Sequence, residues 1–238
     1  MSQSTAVFDK YEAMGAYHWR ECDRRSKVYN PPLAARYEMV LRQAPRGRVL
    51  DIGAGDGYLS GRLAEICREV VGLEYEPSGV ALANEMLSGR PNVSVRQGDT
   101  YALPFEDRAF DAVVMADVIE HLDDPDRAVA EMARVVRDDG AVLVTTPHWR
   151  SDRVWDERHV MEYTADQLRE RMAGSFGDVK LKFGWPRMWS DFYRTRVGWR
   201  LLRAAGRWGF NPFLAESNDA AGHCQILAIC RAPRRAAA

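Results

Sequence analysis

The chain has 238 residues, 46% of them hydrophobic, which is enough to bury a sizeable core, and no apolar run approaches the roughly 18 residues of a membrane span. Lys+Arg 33 against Asp+Glu 34 leaves a formal net charge of -1, so no global field draws nucleic acid or an anionic surface, and DNA is not an expected partner. The four cysteines, Cys22, Cys67, Cys224 and Cys230, form no CxxC pair, which argues against a zinc knuckle or a disulfide framework; the start MSQSTAVFDKYEAMG lacks the basic and apolar stretches of an export signal, so a cytoplasmic protein is expected.

In chain order, a polar start carrying Tyr11, Tyr17, His18, Trp19 and Tyr29 precedes PPLAARYEMVLRQAP, a helix opened by proline and closed by Pro45. Short Val-, Leu- and Ile-rich strands then fall at residues 48–53, 69–74, 93–97, 110–116 and 141–146, and helices at 57–67, 78–88 and 125–136. Strands and helices in alternation imply a parallel sheet covered on both faces. A further helix, TADQLRERMA, has Thr164 as its cap, DVKLKFGW reads as a strand, and HCQILAICRA as the last one after an insertion of about forty residues. The boundaries predicted are an N-terminal cap over 1–46, a core over 47–183, a lid insertion over 184–222 and the last strand over 223–232, all within one domain.

The stretch VLDIGAGDGYLS places glycines at 53, 55 and 57 directly after a strand, where they let the chain turn tightly and a ligand approach the main chain at a helix start. A nicotinamide fold prefers GxGxxG; here the third glycine comes one residue early. Asp51, two residues before the first glycine, would repel a pyrophosphate and suit a cationic amino group and sulfonium.

The pattern hh(D)hGxGxG resembles the first motif of the class I S-adenosylmethionine (SAM) dependent methyltransferases, and three later blocks follow in order: EVVGLE, ending at Glu74; VSVRQGD, ending at Asp99; and FDAVVMADVIEHL with GAVLVTTP. The likeness covers residues 48 to 147 and extends weakly through HVMEYTADQL, a segment similar to one in ubiquinone-type small-molecule methyltransferases. It implies an α/β, Rossmann-like, seven-stranded, mostly parallel sheet with an antiparallel last strand, and SAM as cofactor. It further implies that Asp51, Gly53, Gly55 and Gly57 hold the cofactor, that Glu74 takes the ribose hydroxyls with Tyr75 beside it, that Asp99 and Thr100 lie near the adenine, and that Asp117 completes the set.

Methyl transfer is an in-line displacement, so the acceptor is set by what holds it and removes its proton. No (D/N)PP(Y/F) sequence follows the fourth strand, which disfavours amino-methylation of DNA or glutamine. His148, in TTPHW at the end of the fifth strand, is the first candidate base, and His121, in VIEHL, the second. Trp149, Tyr17 and His18 are candidate contacts for a hydroxylated small molecule, with a saccharide or secondary metabolite preferred. Asp117, Glu120, His121 and His148 are also possible ligands of a divalent cation such as Mg. DxxEH resembles the metal site of small-RNA terminal 2'-O-methyltransferases, whose pattern continues with a second histidine; Leu122 at that place weighs against a metal, and an RNA end stays an alternative acceptor for a 2'-O-methyltransferase.

In the insertion, arginines at 196, 200, 203 and 207 share one helical face, and Val197, Leu201, Leu202, Ala205 and Trp208 the other. As a lid, this helix would turn its apolar side inward and its basic side to solvent. The alternatives are membrane contact through residues 196–208, suited to a lipid or quinone acceptor, or contact with an anionic substrate.

Overall fold

The computed structural model describes residues 10–151 and 156–235, so the first nine residues of the predicted cap lie outside the described part. Three helices come first: α1 (Lys10–Met14), α2 (Tyr17–Glu21) and α3 (Pro31–Leu41). The alternating part follows as β1 (Arg48–Ile52), α4 (Tyr58–Ala64), β2 (Glu69–Glu74), α5 (Pro77–Met86), β3 (Val93–Gln97), β4 (Phe110–Ala116), α6 (Pro125–Val135) and β5 (Val136–Pro147). The chain ends with α7 (Ala165–Ser175), β6 (Phe176–Pro186), α8 (Arg187–Tyr193), α9 (Gly198–Arg207) and β7 (His223–Pro233).

Local chemistry sets these boundaries. Asn30 caps α3 by accepting from the Leu33 amide with Pro31 at the first position, and Asp124 does the same for α6 through the Arg127 amide. Thr164 opens α7 with a reciprocal capping box to Gln167. β5 starts five residues ahead of the predicted strand because Val136 already pairs with Phe110 before a register shift.

The seven strands lie in the order β3-β2-β1-β4-β5-β7-β6, all parallel except β7, which runs antiparallel between β5 and β6. This is the fold expected from the sequence. Alternation within β4 feeds two cores. Val113 and Met115 pack with Leu50, Ile52, Val142, Met132 and Leu168 on the α6 and α7 side, while Ala112 and Val114 pack with Val49, Leu143, Leu63, Met39 and Val40 on the α3 and α4 side. Each such buried aliphatic contributes roughly 1.5–3 kcal/mol by leaving water, and burial on both faces explains the unbroken apolar runs of the strands.

The sheet order reverses between β1 and β4: the chain moves outward through β2 and β3, then returns to the far side of β1. Such a switch point opens a crevice at the carboxyl ends of the strands. α1 and α2 lie over it, and α8 and α9 leave from the same edge, because Pro147 at the end of β5 and Pro186 at the end of β6 both pair with the first residues of β7.

One expectation is reversed here. α9 turns inward Gly198, Leu202 and Gly206, and leaves Val197, Leu201 and Trp208 exposed. The predicted apolar face therefore splits: Leu202 meets Ala35 of α3 and Phe213, Gly206 lies against the Tyr29 ring just before α3, and Gly198 lies against the Phe192 carbonyl of α8. Among the described residues, no helix is long and apolar enough to cross a membrane.

Candidate cofactor and acceptor site

The crevice holds a cavity of 430 Å³, within the usual size of small-molecule sites. The loop after β1 forms its floor. Gly53 has φ 74 and faces Val118 so closely that a side chain would collide with it. Gly57, φ 77, caps α4 and would strike Leu87 and Ala83, so its role is helix packing. Gly55 sits under the Tyr11 hydroxyl and donates its amide to Glu74 Oε2 at 2.8 Å.

Glu74, at the end of β2, lines the cavity with its carboxylate fixed by that bond and by the Glu76 amide to Oε1 at 3.0 Å. Tyr75 lines the same wall, half exposed. Asp99 and Thr100 come in from the end of β3: Asp99 accepts from the Tyr101 amide at 2.8 Å, and the Thr100 hydroxyl is buried with no hydrogen-bond partner among the described residues. A buried hydroxyl in that state costs free energy until something fills the cavity and bonds to it.

Asp51 departs from its expected place. It lies below the glycine loop rather than in the cavity lining, fully buried, and accepts from Ser60 Oγ at 2.6 Å. Burial pushes its carboxyl up to about 7, the Ser60 bond working against this and the Glu74 charge with it. The side chain at the end of a short strand alternates away from the ligand, which the glycine spacing alone does not reveal.

Asp117 is the first residue past β4 and has φ 53, a left-handed conformation rare outside glycine. It is held there by three partners: Thr145 Oγ1 and Gln225 Nε2 each donate to Oδ1 at 2.6 Å, and Arg36 Nε lies 2.7 Å from Oδ2. Burial opposes the charge of Arg36 and is the largest single influence, but Asp117, Tyr37, Glu120 and Tyr17 together outweigh it and hold the guanidinium above its usual range. Both residues line the cavity, with Tyr17 and Tyr37 nearby.

The two candidate bases separate. His121 lines the large cavity, on a short 3-10 turn (Ile119–His121) after Asp117. Its Nδ1 lies 2.9 Å from the Arg158 carbonyl, which can only accept, so in the neutral ring Nδ1 carries the proton and Nε2 the lone pair. His148 lines a second cavity, of 140 Å³, with Arg150, Trp185, Tyr193 and Phe213, and its Nδ1 lies 3.0 Å from the His223 carbonyl. Placing it on the rim of the cofactor site is therefore a correction: β7 runs along β5 and draws the residue after Pro147 towards the insertion. Trp149 lines neither cavity; its amide bonds the Tyr163 carbonyl.

The proposed cation ligands also regroup. Glu120, His121 and His159 have ligand atoms within 4.8 Å of one another, and His148 is not among them. Hydrogen bonds within the chain account for this cluster: Glu120 accepts from Thr146 Oγ1, its carbonyl takes the Val160 and Met161 amides, and His159 Nδ1 meets Glu162 at 2.8 Å. Burial, with Asp117 adding to it, pushes the Glu120 carboxyl up. The set fits a latch that ties the loop after β5 to the turn after β4.

Asp56, in the glycine loop, is fully buried and is the anchor of the cap. Its carboxylate takes the His18 amide and lies 3.0 Å from His18 Nδ1, while its carbonyl accepts from Trp19 Nε1 at 2.9 Å. The His18 ring is thereby committed to Asp56, and it is the neighbouring Tyr17, its ring 3.9 Å away and tilted by 35°, that offers a polar group to the cavity. An acid at a helix start gives a weak signal, and its partner stands thirty-eight positions away.

Comparison with known proteins agrees with this geometry. The family model described as "Methyltransferase domain" matches residues 50–144. A probable SAM-dependent methyltransferase of Mycolicibacterium smegmatis is 37% identical over 153 residues, 62% of this chain and 58% of that protein. An uncharacterised methyltransferase of Mycobacterium bovis is 30% identical over 187 residues, 79% of this chain and 68% of the relative. The solved YcgJ protein of Bacillus subtilis, at 23% identity, superposes with a TM-score of 0.60 over 83% of this chain and 99% of its own. The chain belongs to the class I SAM-dependent methyltransferase family. It spans 58% of the length of the M. smegmatis relative.

The residues present fit SAM. Glu74 is a fixed acceptor for a vicinal diol, Thr100 supplies the orphaned hydroxyl, and Gly53 and Ala54 of the loop line the cavity.

Proposed function

We propose that the protein transfers the methyl group of SAM to a hydroxyl of a small molecule, with a saccharide or secondary metabolite as the preferred acceptor and His121 as the base. The observation that carries this is that one cavity joins Glu74, Asp99 and Thr100 to His121, Arg36 and Tyr17. SAM supplies an electrophilic methyl group whose bond to sulfur breaks with its electron pair as the acceptor oxygen attacks. The chain supplies placement and proton removal: Glu74 takes the ribose hydroxyls, Asp99 and Thr100 the base, and the glycine loop the backbone contacts. Nε2 of His121 takes the acceptor proton, oriented by the Nδ1 bond to the Arg158 carbonyl. Arg36 and Tyr17 bond the remaining oxygens of the acceptor. Asp51 acts through the loop it supports.

The cap before β1 and the insertion between β6 and β7 are assigned to acceptor binding, around a core that holds the cofactor. Incubation of the full chain with SAM and a panel of hydroxylated acceptors, with mass spectrometry of the products, tests the reading: a mass gain of one methyl on an oxygen supports it, and methylation on nitrogen or carbon alone overturns the hydroxyl assignment. A lipid or quinone acceptor is the second reading, favoured by the outward apolar side of α9.

A further inference from the structure

α9 inverts the usual arrangement of a surface helix, whose apolar stripe faces the core. Val197, Leu201 and Trp208 recur at helical spacing on the outer side, 60%, 55% and 92% exposed, with Ala204 exposed between them. Phe210, just beyond the helix, and Met188 on α8 extend the set of exposed apolar residues, at 53% and 69%. Around the stripe stand Arg194, Arg196, Arg200 and Arg207, all exposed, and the twenty-four residues from Phe192 to Ala215 hold five arginines and no acid. The neutral balance of the whole chain thus hides a local positive field.

We propose that this face docks on an anionic lipid bilayer, with α9 lying flat in the headgroup region. Apolar side chains led by a tryptophan and flanked by arginines are the chemistry of an interfacial helix: the stripe enters the acyl boundary while the guanidinium groups remain at the level of the phosphates. A second copy of the chain is a poor occupant, because pairing this face with itself would set arginine against arginine, and the acid of α8, Asp191, is already paired with Arg187. Nucleic acid would take the arginines and leave the stripe in water. The inward side of α9 packs on α3, where Ala35 meets Leu202 and the next residue, Arg36, lines the large cavity. The docked helix therefore lies behind the wall that carries the acceptor end of the site. The proposal stands on the helix itself and holds for either acceptor reading.

The test is co-sedimentation of the full chain with vesicles of phosphatidylcholine alone and of phosphatidylcholine mixed with phosphatidylglycerol. Binding to the mixed vesicles is expected, weakened by high salt, with little to the neutral ones. Each of Arg196→Gln, Arg200→Gln and Arg207→Gln should lower vesicle affinity about fivefold. Leu201→Ser with Trp208→Ser should abolish it, with SAM binding and circular dichroism unchanged to show that the fold is kept. Three results would overturn the proposal: no sedimentation with anionic vesicles, wild-type sedimentation of the Leu201/Trp208 double variant, or a lipid-independent dimer that the double variant dissociates.

Discussion

The buried Asp56 carboxylate holds His18 twice, through the main-chain amide and through Nδ1, each at 3.0 Å. Together with Trp19 Nε1 on the Asp56 carbonyl, this bolts the helical cap to the loop that forms the cavity floor. Asp56→Ala leaves buried donors without a partner, at roughly 1–3 kcal/mol each. We expect lower stability in urea and faster proteolysis within α1 and α2 than in the sheet. SAM affinity should fall as well, as measured by calorimetry; unchanged affinity would mean that the cap does not close the site.

Glu74 is the residue on which cofactor binding should depend most. Glu74→Gln keeps the shape but leaves one acceptor oxygen for the two amides that the carboxylate now serves, and it removes the charge that favours the diol. SAM should bind at least tenfold more weakly, about 1.4 kcal/mol. The melting temperature without SAM should fall as well, because one of the two amides loses its acceptor.

Asp51 predicts a pH dependence of stability. Its folded carboxyl is raised from 3.8 to about 7, so the folded state holds the proton more tightly than the unfolded state does, and stability falls as pH rises between these values. Above about 7 the buried charge costs up to about 4 kcal/mol. Asp51→Asn removes that cost and can still accept from Ser60 through its amide oxygen. The variant should therefore gain on the parent as pH rises and lose the advantage in acid. Denaturation curves at acidic and basic pH give the comparison, and a constant difference would refute the assignment.

The histidines can be told apart by turnover. His121→Ala should reduce kcat by 10²–10⁴, the usual worth of a positioned base, with SAM affinity retained. His148→Ala, altered in the neighbouring cavity, should keep kcat and change KM for the acceptor if the insertion touches it. A large kcat loss in His148→Ala alone would return the base to the end of β5.

The alternation of strands and helices was legible because each strand is a short apolar run ended by turn residues, and Thr164 announced α7 by its capping box. The glycine loop was legible for the same local reason: φ values of 74 and 77 are available to glycine and to few other residues. Relations between distant segments were not. The burial of Asp51 depends on which way one side chain of β1 turns, the pairing of Asp56 with His18 joins two segments thirty-eight residues apart, and the position of His148 follows from β7 lying beside β5. α9 shows the limit most clearly. Its periodicity announced two faces, but the side that meets the protein carries the glycines at 198 and 206, which lie against the Phe192 carbonyl and the Tyr29 ring where a side chain would collide.

The pairing of Pro186 with His223 has a consequence for the insertion. The excursion that carries α8 and α9 leaves the sheet at Pro186 and re-enters it opposite, at His223, and its later part is tied back to β6 by the mutual main-chain bonds of Ser217 and Phe183. Changes of length confined to α8 and α9 would leave that tie and both ends in place, so the glycine loop and Glu74 would keep their geometry.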